Sequence, residues 1–334
     1  MKKSSSRALR EVMKIIHFFS SKVFAGLERH IEELAYEQSK NHEVIVVGPK
    51  RFKKIFRSPY RILDTNKSRI NPLLWLELRR VLMQNQADII HTHGAKMTGL
   101  IKADIHVSTI HGTKKNINPF LKTNFIFGAS EKSIENIPSD KSMVLENWVD
   151  EDRFTSNVRK VPEYYLYLGR FEPVKNPLRL IKSWANIDQN LLMLGSGKLY
   201  NEALNLIKEL NLSEKIRILP EQKDISSFLE KAHALLISSD REGSPKVLYE
   251  ALYCGVPVLS TDVGNIKDVL SSKFVCPPTD QDYMELIERF CTKELNLSES
   301  QREIFETVRN ENLLQVQADK VINIYRDLLS KASL

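Results

Sequence analysis

Cysteine is scarce in this sequence, with three in 334 residues: Cys254, Cys276 and Cys291. The number is odd and the spacings, 22 and 15 residues, fit no compact metal motif. They read as reduced, buried thiols of a reducing compartment rather than a disulfide framework. Long apolar runs are missing as well, and nothing approaches the roughly 18 residues of a membrane span. The opening MKKSSSRALREVMKIIHFF is charged but has no apolar stretch ending in a small-residue cleavage site. The expectation is a protein made and kept in the cytoplasm, whose membrane contacts are peripheral. No H-E-x-x-H occurs and no glycine cluster completes G-x-G-x-x-G, with no acidic residue placed for a ribose behind one, which argues against a nicotinamide dehydrogenase. Repeats, low-complexity tracts and the signatures of helix-turn-helix, RNA-recognition and zinc-finger modules are also missing.

What is present has the makings of a real core: 42% of residues are hydrophobic and 27% charged. The net charge of +7 is unevenly spread. Residues 1–150 carry 25 Lys and Arg against 15 Asp and Glu, and residues 151–334 carry 24 against 27. Most of the excess lies in residues 50–80, with ten basic and two acidic side chains. A local basic field of this kind expects an anionic partner: a lipid surface, a nucleic acid or a phosphorylated substrate.

Strand and helix patterns alternate along the chain. Short β-branched runs such as Val44–Val47 read as parallel strands buried on both faces. Leu27–Lys40 has helical periodicity, and Asn71-Pro72 is a helix start, with an N-cap followed by proline in the first turn. In the second half, strands at Tyr164–Leu168, Leu191–Leu194, Ile216–Leu219, Ala234–Ser238 and Val256–Ser260 alternate with helices at Pro177–Ala185, Leu199–Leu210, Ile225–Ala232 and Pro245–Tyr253. Such alternation specifies α/β architecture, a parallel sheet covered by helices on both sides. The polar stretch 149–162 reads as a linker between two doubly wound domains, residues 1–150 and 151–311, followed by a C-terminal helix within 312–334 expected to pack back toward the first domain. Ligands of such sheets bind outside the carboxyl ends of the strands, and in two such domains those ends can face each other across a cleft.

Two loops carry the chemistry. The first is SSDREGSPKVLYEALYCG, Ser238–Gly255. Ser244 reads as a helix cap and Pro245 as its first residue, so the helix start presents N–H groups and partial positive charge to a phosphate. Glu242 lies before the helix and Glu250 within it, spaced to contact two ends of one elongated ligand. The plainer alternative is a capped helix with solvent-facing glutamates. The second loop is YLGRFEPVKNP, where Arg170 and Lys175 follow a strand and could clamp a diphosphate and neutralise a leaving nucleotide. A basic surface loop is the alternative. Gly26 and Gly195-Ser196-Gly197 let a ligand approach the backbone. His91 and His93 form H-x-H and share one face of a strand, but no nearby carboxylate or cysteine completes a metal site, and none is expected. His111, before Gly112, is the candidate partner of a sugar hydroxyl; His17 reads as strand packing or part of the cleft wall.

These pieces together resemble the retaining GT-B glycosyltransferases of family 4. AGLERHIEELA, ADIIHTHG, VSTIHG, VLENWVD, YLGRFEPVKNP, LLMLGSG and SSDREGSPKVLYEALYCGVPVLSTDVGN occur in the family's order and span nearly the whole chain. The resemblance implies two Rossmann-like domains facing across a cleft and transfer of a sugar from a UDP- or GDP-linked donor to a glycan or lipid-linked glycan, as in polysaccharide or lipopolysaccharide biosynthesis, without metal or cofactor. It also implies roles. Arg170 and Lys175, after Gly169, hold the donor diphosphate. Glu250 holds the ribose, and Glu242 lies near the sugar hydroxyls. Gly243 and Ser244 supply N–H groups in the segment that runs on through Pro245, Lys246 and Val247. Gly195 and Gly26 lie at the donor, and His111 lies at the sugar. Catalysis is expected from His111, Glu242, Arg170 and Lys175.

The segment from Lys50 to Arg80 interleaves Lys53, Lys54, Arg57 and Arg61 with Phe52, Phe56, Tyr60 and Trp75. Basic plus aromatic suits an anionic membrane interface on the inner face of the membrane; a solvated loop with a core-facing Trp75 is the alternative. Three other readings stay open: a GT-B-fold nucleotide-sugar epimerase, a membrane- or nucleic-acid-binding protein without catalysis, and a non-catalytic subunit.

Overall fold

A computed structural model describes residues 11–112, 114–154, 161–222, 224–292 and 297–333. The chain divides into two compact units, Met1–Asn147 with Leu314–Leu334, and Trp148–Leu313.

The first unit holds strands β1 (Lys14–Phe19), β2 (Glu43–Gly48), β3 (Tyr60–Ile62), β4 (Ile89–His93), β5 (His106–Ile110), β6 (Phe125–Gly128) and β7 (Ser142–Val144). Its helices are α1 (Gly26–Ser39), α2 (Pro72–Asn85), α3 (Ala95–Leu100) and α4 (Glu131–Ile134). All strand pairs are parallel, in the order β3-β2-β1-β4-β5-β6-β7. Because successive strand residues face opposite ways, Ile16 and Phe18 of β1 pack with Leu74, Leu78 and Val81 of α2 on one face. His17 turns to the other face, toward α1. Asn71 caps α2 as its sequence requires, its side-chain oxygen accepting from the N–H groups of Leu73 and Leu74.

The second unit holds β8 (Tyr164–Leu168), β9 (Leu191–Leu194), β10 (Ile216–Leu219), β11 (Ala232–Ile237), β12 (Val258–Thr261) and β13 (Val275–Cys276). Its helices are α5 (Pro177–Ser183), α6 (Tyr200–Glu209), α7 (Ser226–Leu229), α8 (Lys246–Tyr253), α9 (Ile266–Val269), α10 (Asp280–Cys291), α11 (Leu297–Ser300) and α12 (Arg302–Glu311). The sheet is again parallel, in the order β10-β9-β8-β11-β12-β13, with an apolar core on each face. The last helix, α13 (Leu314–Ser333), belongs to the first unit, where it packs along α1.

Two doubly wound parallel sheets are thus present, with differences at the joins. The expected linker begins inside the second unit. Val149 donates its N–H to the Asn312 carbonyl at 2.8 Å and pairs with Leu313, and Val149 and Phe154 are buried in that unit's core. These apolar side chains outweigh the polar average of 149–162; residues 155–160 of that stretch lie outside the described residues. Helix α7 is a single turn, and β11 starts two residues early at Ala232, which is fully buried.

Candidate functional site

In the second sheet the chain leaves β8 to one side for β9 and β10, then returns to its other side for β11. The loops after β8 and β11 therefore emerge side by side at the carboxyl end of the sheet, the switch point where open parallel sheets hold ligands. That topology brings Lys175 to Glu242: Nζ donates to Oε1 at 2.5 Å. Ser239 Oγ donates to the same oxygen at 2.6 Å. Lys175 and Glu242 are half-buried, and Arg170 is exposed. The Tyr167 hydroxyl donates to the Arg170 carbonyl at 3.1 Å and so fixes the turn that carries that guanidinium. Burial, then the charge of Glu242, push the Tyr167 phenol well above its ordinary range and keep it a donor.

Two glycines let these loops touch. Gly195 has φ +156° and Gly264 has φ +61°. A Cβ on Gly195 would stand 1.9 Å from the Gly169 carbonyl oxygen, and one on Gly264 would stand 2.2 Å from that of Gly243. Both positions admit only glycine.

Sequence reasoning missed the residue that ties the loops together. Arg179, 5% exposed, donates to the Ser238 carbonyl at 3.0 Å and the Pro278 carbonyl at 2.8 Å. It also pairs with Asp240 at 2.7 Å and Asp280 at 2.9 Å. One guanidinium thus joins the segments after β11 and β13 to α5. Asn176 starts α5 from a left-handed conformation, φ 45°, accepting from the Arg179 N–H while donating to Asp240. The available signal was Asn-Pro two residues before an arginine on a helix otherwise apolar toward the core.

The start of α8 differs from expectation by one residue. Pro245 is the N-cap and Lys246 the first helical residue, because proline's extended ψ of 120° belongs outside the helix; Ser244 precedes the cap. Val247 follows, half-buried, in the opening turn. The Lys246 ammonium is held locally, donating to the Trp148 carbonyl at 3.0 Å above the Trp148 ring. Glu250 is 3% exposed, and its charge, after burial itself, pushes the Cys254 thiol up to about 12. The reading of Glu250 as a solvent-facing surface glutamate does not describe it.

In the first unit the sheet's switch point lies between β1 and β4, and histidines gather beside it. His17 on β1 stands against His91 in register, with Phe19 against His93. His17 Nε2 lies 2.7 Å from Gln38 Oε1, and His17 Nδ1 lies 3.0 Å from His93 Nε2. His93 Nδ1 lies 3.1 Å from His111 Nε2. His91 bonds the Tyr325 hydroxyl at 2.6 Å and Thr109 at 2.7 Å. His30 of α1 reaches Asn147 at 3.5 Å and packs edge-on against His111. Burial pushes His17 down to about 4. Burial, then the charge of Lys114, push His111 down to about 3. Burial and the neighbouring imidazoles hold His91 and His93 well below the ordinary range. All four are neutral near pH 7.

The fold adds what H-x-H lacked. Two triads, His17–His91–His93 and His30–His93–His111, each place ligand atoms within 4.8 Å of one another. Most of these nitrogens are already joined to each other or to Gln38, Thr109 and Tyr325, so a cation would have to displace those hydrogen bonds. Gly26 opens α1 and is exposed, and the Ala25 N–H before it donates to Glu28 at 2.7 Å.

Only part of the basic segment is exposed. Phe52 and Phe56 are buried around Phe19, with ring centroids 5.8 and 5.5 Å away, because the loop folds over the end of β1. Arg57 grips Glu32 through two nitrogens and stacks on Tyr36 at 3.8 Å, and Arg61 donates to Gln84. Lys53 and Lys54 are exposed. Trp75 is exposed rather than core-facing, its Nε1 donating to the Arg69 carbonyl at 2.8 Å. Beyond its buried stripe, α2 carries a second apolar stripe at Leu73, Leu76 and Met83, all exposed, with Arg80 among them; Ile70 just before it is 88% exposed. No helix among the described residues is long and apolar enough to cross a membrane.

The chain is similar to known proteins. Residues 149–310 match the family described as glycosyl transferases group 1, and residues 24–153 match glycosyltransferase family 4. The N-acetyl-alpha-D-glucosaminyl L-malate synthase of Bacillus anthracis is 24% identical over 75% of this chain and 78% of its own. A Campylobacter jejuni enzyme is 25% identical over 78% of this chain and 82% of its own. It is named as an alpha-1,4-N-acetyl-D-galactosaminyltransferase acting on a GalNAc-containing glycan linked to undecaprenol through PP. Among solved structures, Anabaena Alr3699/HepE in complex with UDP superposes with a TM-score of 0.81 at 14% identity, over 94% of this chain and 100% of that one.

Proposed function

This chain belongs to the group 1 glycosyl transferases of family 4 and is a glycosyltransferase of GT-B fold, and from that premise we propose that it moves a sugar, with retention, from a nucleoside diphosphate sugar onto a glycan or lipid-linked glycan. One observation carries the donor assignment: the Lys175–Glu242 pair at the switch point of the second sheet. A cation held beside a carboxylate, in a loop that Arg170 shares, can exchange that carboxylate for a diphosphate. As the bond from the sugar's anomeric carbon breaks, its electron pair goes to the diphosphate oxygen. Lys175, Arg170 and the opening amides of α8 stabilise that charge. The acceptor hydroxyl attacks from the face the diphosphate leaves, and its proton passes to the departing diphosphate oxygen as the new bond forms. Glu242, released from Lys175, accepts from sugar hydroxyls, Glu250 from the ribose, and His111 bonds the sugar.

UDP is the favoured donor nucleotide, since the structural relative described above was solved with UDP. The Campylobacter enzyme's lipid-linked acceptor supports an acceptor of that class, and the exposed stripe on α2 supports docking at an anionic membrane. The reaction needs no metal in this reading, so a chelator should leave the transfer rate unchanged.

The test is thermal stability against UDP, GDP, ADP and CMP, for the native chain and for Arg170→Ala. A ligand at 100 times its dissociation constant adds about 2.7 kcal/mol. One nucleotide diphosphate should raise Tm, and the variant should lose that rise. If no nucleotide does so, the donor site is misassigned.

A further inference from the structure

The histidines beside β1 and β4 are linked in a line, and the line has a direction. An amide oxygen can only accept. Gln38 Oε1 stands 2.7 Å from His17 Nε2, so that nitrogen carries the proton. A neutral imidazole has one N–H. His17 Nδ1 is then an acceptor, and its partner 3.0 Å away, His93 Nε2, is the donor. The same rule passes along: His93 Nδ1 accepts from His111 Nε2 at 3.1 Å. At the end of the line, His111 is left with a bare Nδ1, which has no partner among the described residues.

We propose that Gln38 is a positioning residue for sugar recognition: through His17 and His93 it fixes His111 as the Nε2–H tautomer, so that Nδ1 presents a lone pair to a hydroxyl of the donor sugar. The proposal rests on the reading of His111 as the sugar contact. Gln38 is 2% exposed and lies on α1, two imidazoles removed from His111. It meets no ligand itself. Its effect is on the choice of tautomer, which otherwise is evenly balanced in an isolated imidazole line, since reversing every N–H leaves as many hydrogen bonds as before. The amide breaks that balance. His17 is fully buried and His93 is 2% exposed, so water does not enter to relay the line in the other sense. The depressed proton affinities of the three rings support the argument, because a protonated ring would donate from both nitrogens and erase the direction. The recognition that follows is specific: a neutral acceptor selects a hydroxyl and discriminates against a sugar that presents another acceptor at that position.

Two measurements test it. Long-range nitrogen–proton correlation spectra of the native full chain, labelled at histidine, read each ring's tautomer directly. His17, His93 and His111 should all carry the proton on Nε2; a His111 with its proton on Nδ1 overturns the proposal, with no variant needed. In Gln38→Leu, His111 should become a mixture of tautomers. The KM for the sugar nucleotide should rise between about 2-fold and 10-fold, the range of one neutral hydrogen bond, while affinity for the nucleoside diphosphate alone is unchanged. A Gln38→Leu chain that keeps a single His111 tautomer sinks the proposal. Failure of the native chain to bind any nucleotide sinks the donor assignment instead, and the spectra still decide the direction of the line.

Discussion

Lys175 and Glu242 lie 67 positions apart in sequence and meet at 2.5 Å, because the strand that precedes each one is the other's neighbour in the sheet. In the proposed reaction the pair is a stand-in for bound substrate: before the donor arrives, the ammonium has a carboxylate where a phosphate would be. Lys175→Ala should therefore lower kcat about 100-fold, as expected for loss of one charge-stabilising donor. Tm should move little, since a partly exposed ion pair contributes about 1 kcal/mol or less. Steady-state transfer rates and a melting curve on the same preparation check both halves. A variant that melts early but turns over normally would mean that the pair is structural.

Arg179 should behave in the opposite way. Replacing it by Met strips two carbonyls and two carboxylates of a shared partner. Losing one side of a buried ionic network costs about 3–5 kcal/mol, which in a unit of this size corresponds to a Tm fall of about 10 °C. Calorimetry should show that fall. Nucleotide affinity should fall too, because the loops carrying Asp240 and Glu242 lose their tie to α5.

Acid should weaken the first unit before the carboxylates titrate. A histidine in the unfolded chain takes up its proton near pH 6.5. His17 in the fold does so only near 4, and His111 only near 3. Between those values the unfolded chain binds more protons, so stability is intact above about pH 6.5 and is lost as pH falls toward 4. For His17 alone the loss is on the order of 3 kcal/mol. Tm measured from pH 8 to pH 5 should be flat at the upper end and slope downward below about 6.5. His17→Phe should reduce the slope, and a flat Tm throughout would contradict the burial described for these rings.

The exposed stripe of α2 should bring the chain to anionic lipid. Sedimentation with phosphatidylglycerol vesicles at low salt should deplete it from the supernatant, and phosphatidylcholine vesicles should not. Leu76→Glu combined with Met83→Glu should abolish the difference, because both side chains are exposed and their loss leaves the buried stripe Leu74, Leu78 and Val81 untouched.

Much of this was legible before any coordinates. Tyr164–Leu168 and Leu191–Leu194 stand where their apolar runs end, because a strand buried on both faces tolerates no polar residue. The loops that carry Arg170, Lys175 and Glu242 were readable because each follows such a strand. The direct meeting of Lys175 with Glu242 was not, since it depends on strand order, which no local pattern encodes. His17 and His30 could not be assigned to H-x-H for the same reason: they come from β1 and α1, and only the sheet order sets them beside His93. Phe52 and Phe56 read as interfacial because basic neighbours surround them in sequence. Which face of a loop turns inward is decided by what it covers, here Phe19.

The return of α13 to the first unit has a consequence for synthesis. Tyr325 reaches His91 across 234 residues, and α13 lies along α1. A ribosome finishes the whole second unit before it makes the helix that closes the first. The second unit is therefore a continuous segment that can fold as it emerges, while the first waits, with one sheet face partly bare, for the last twenty residues of helix. In order of synthesis, the sheet bearing the histidine line is the last part of the protein to have all its partners made.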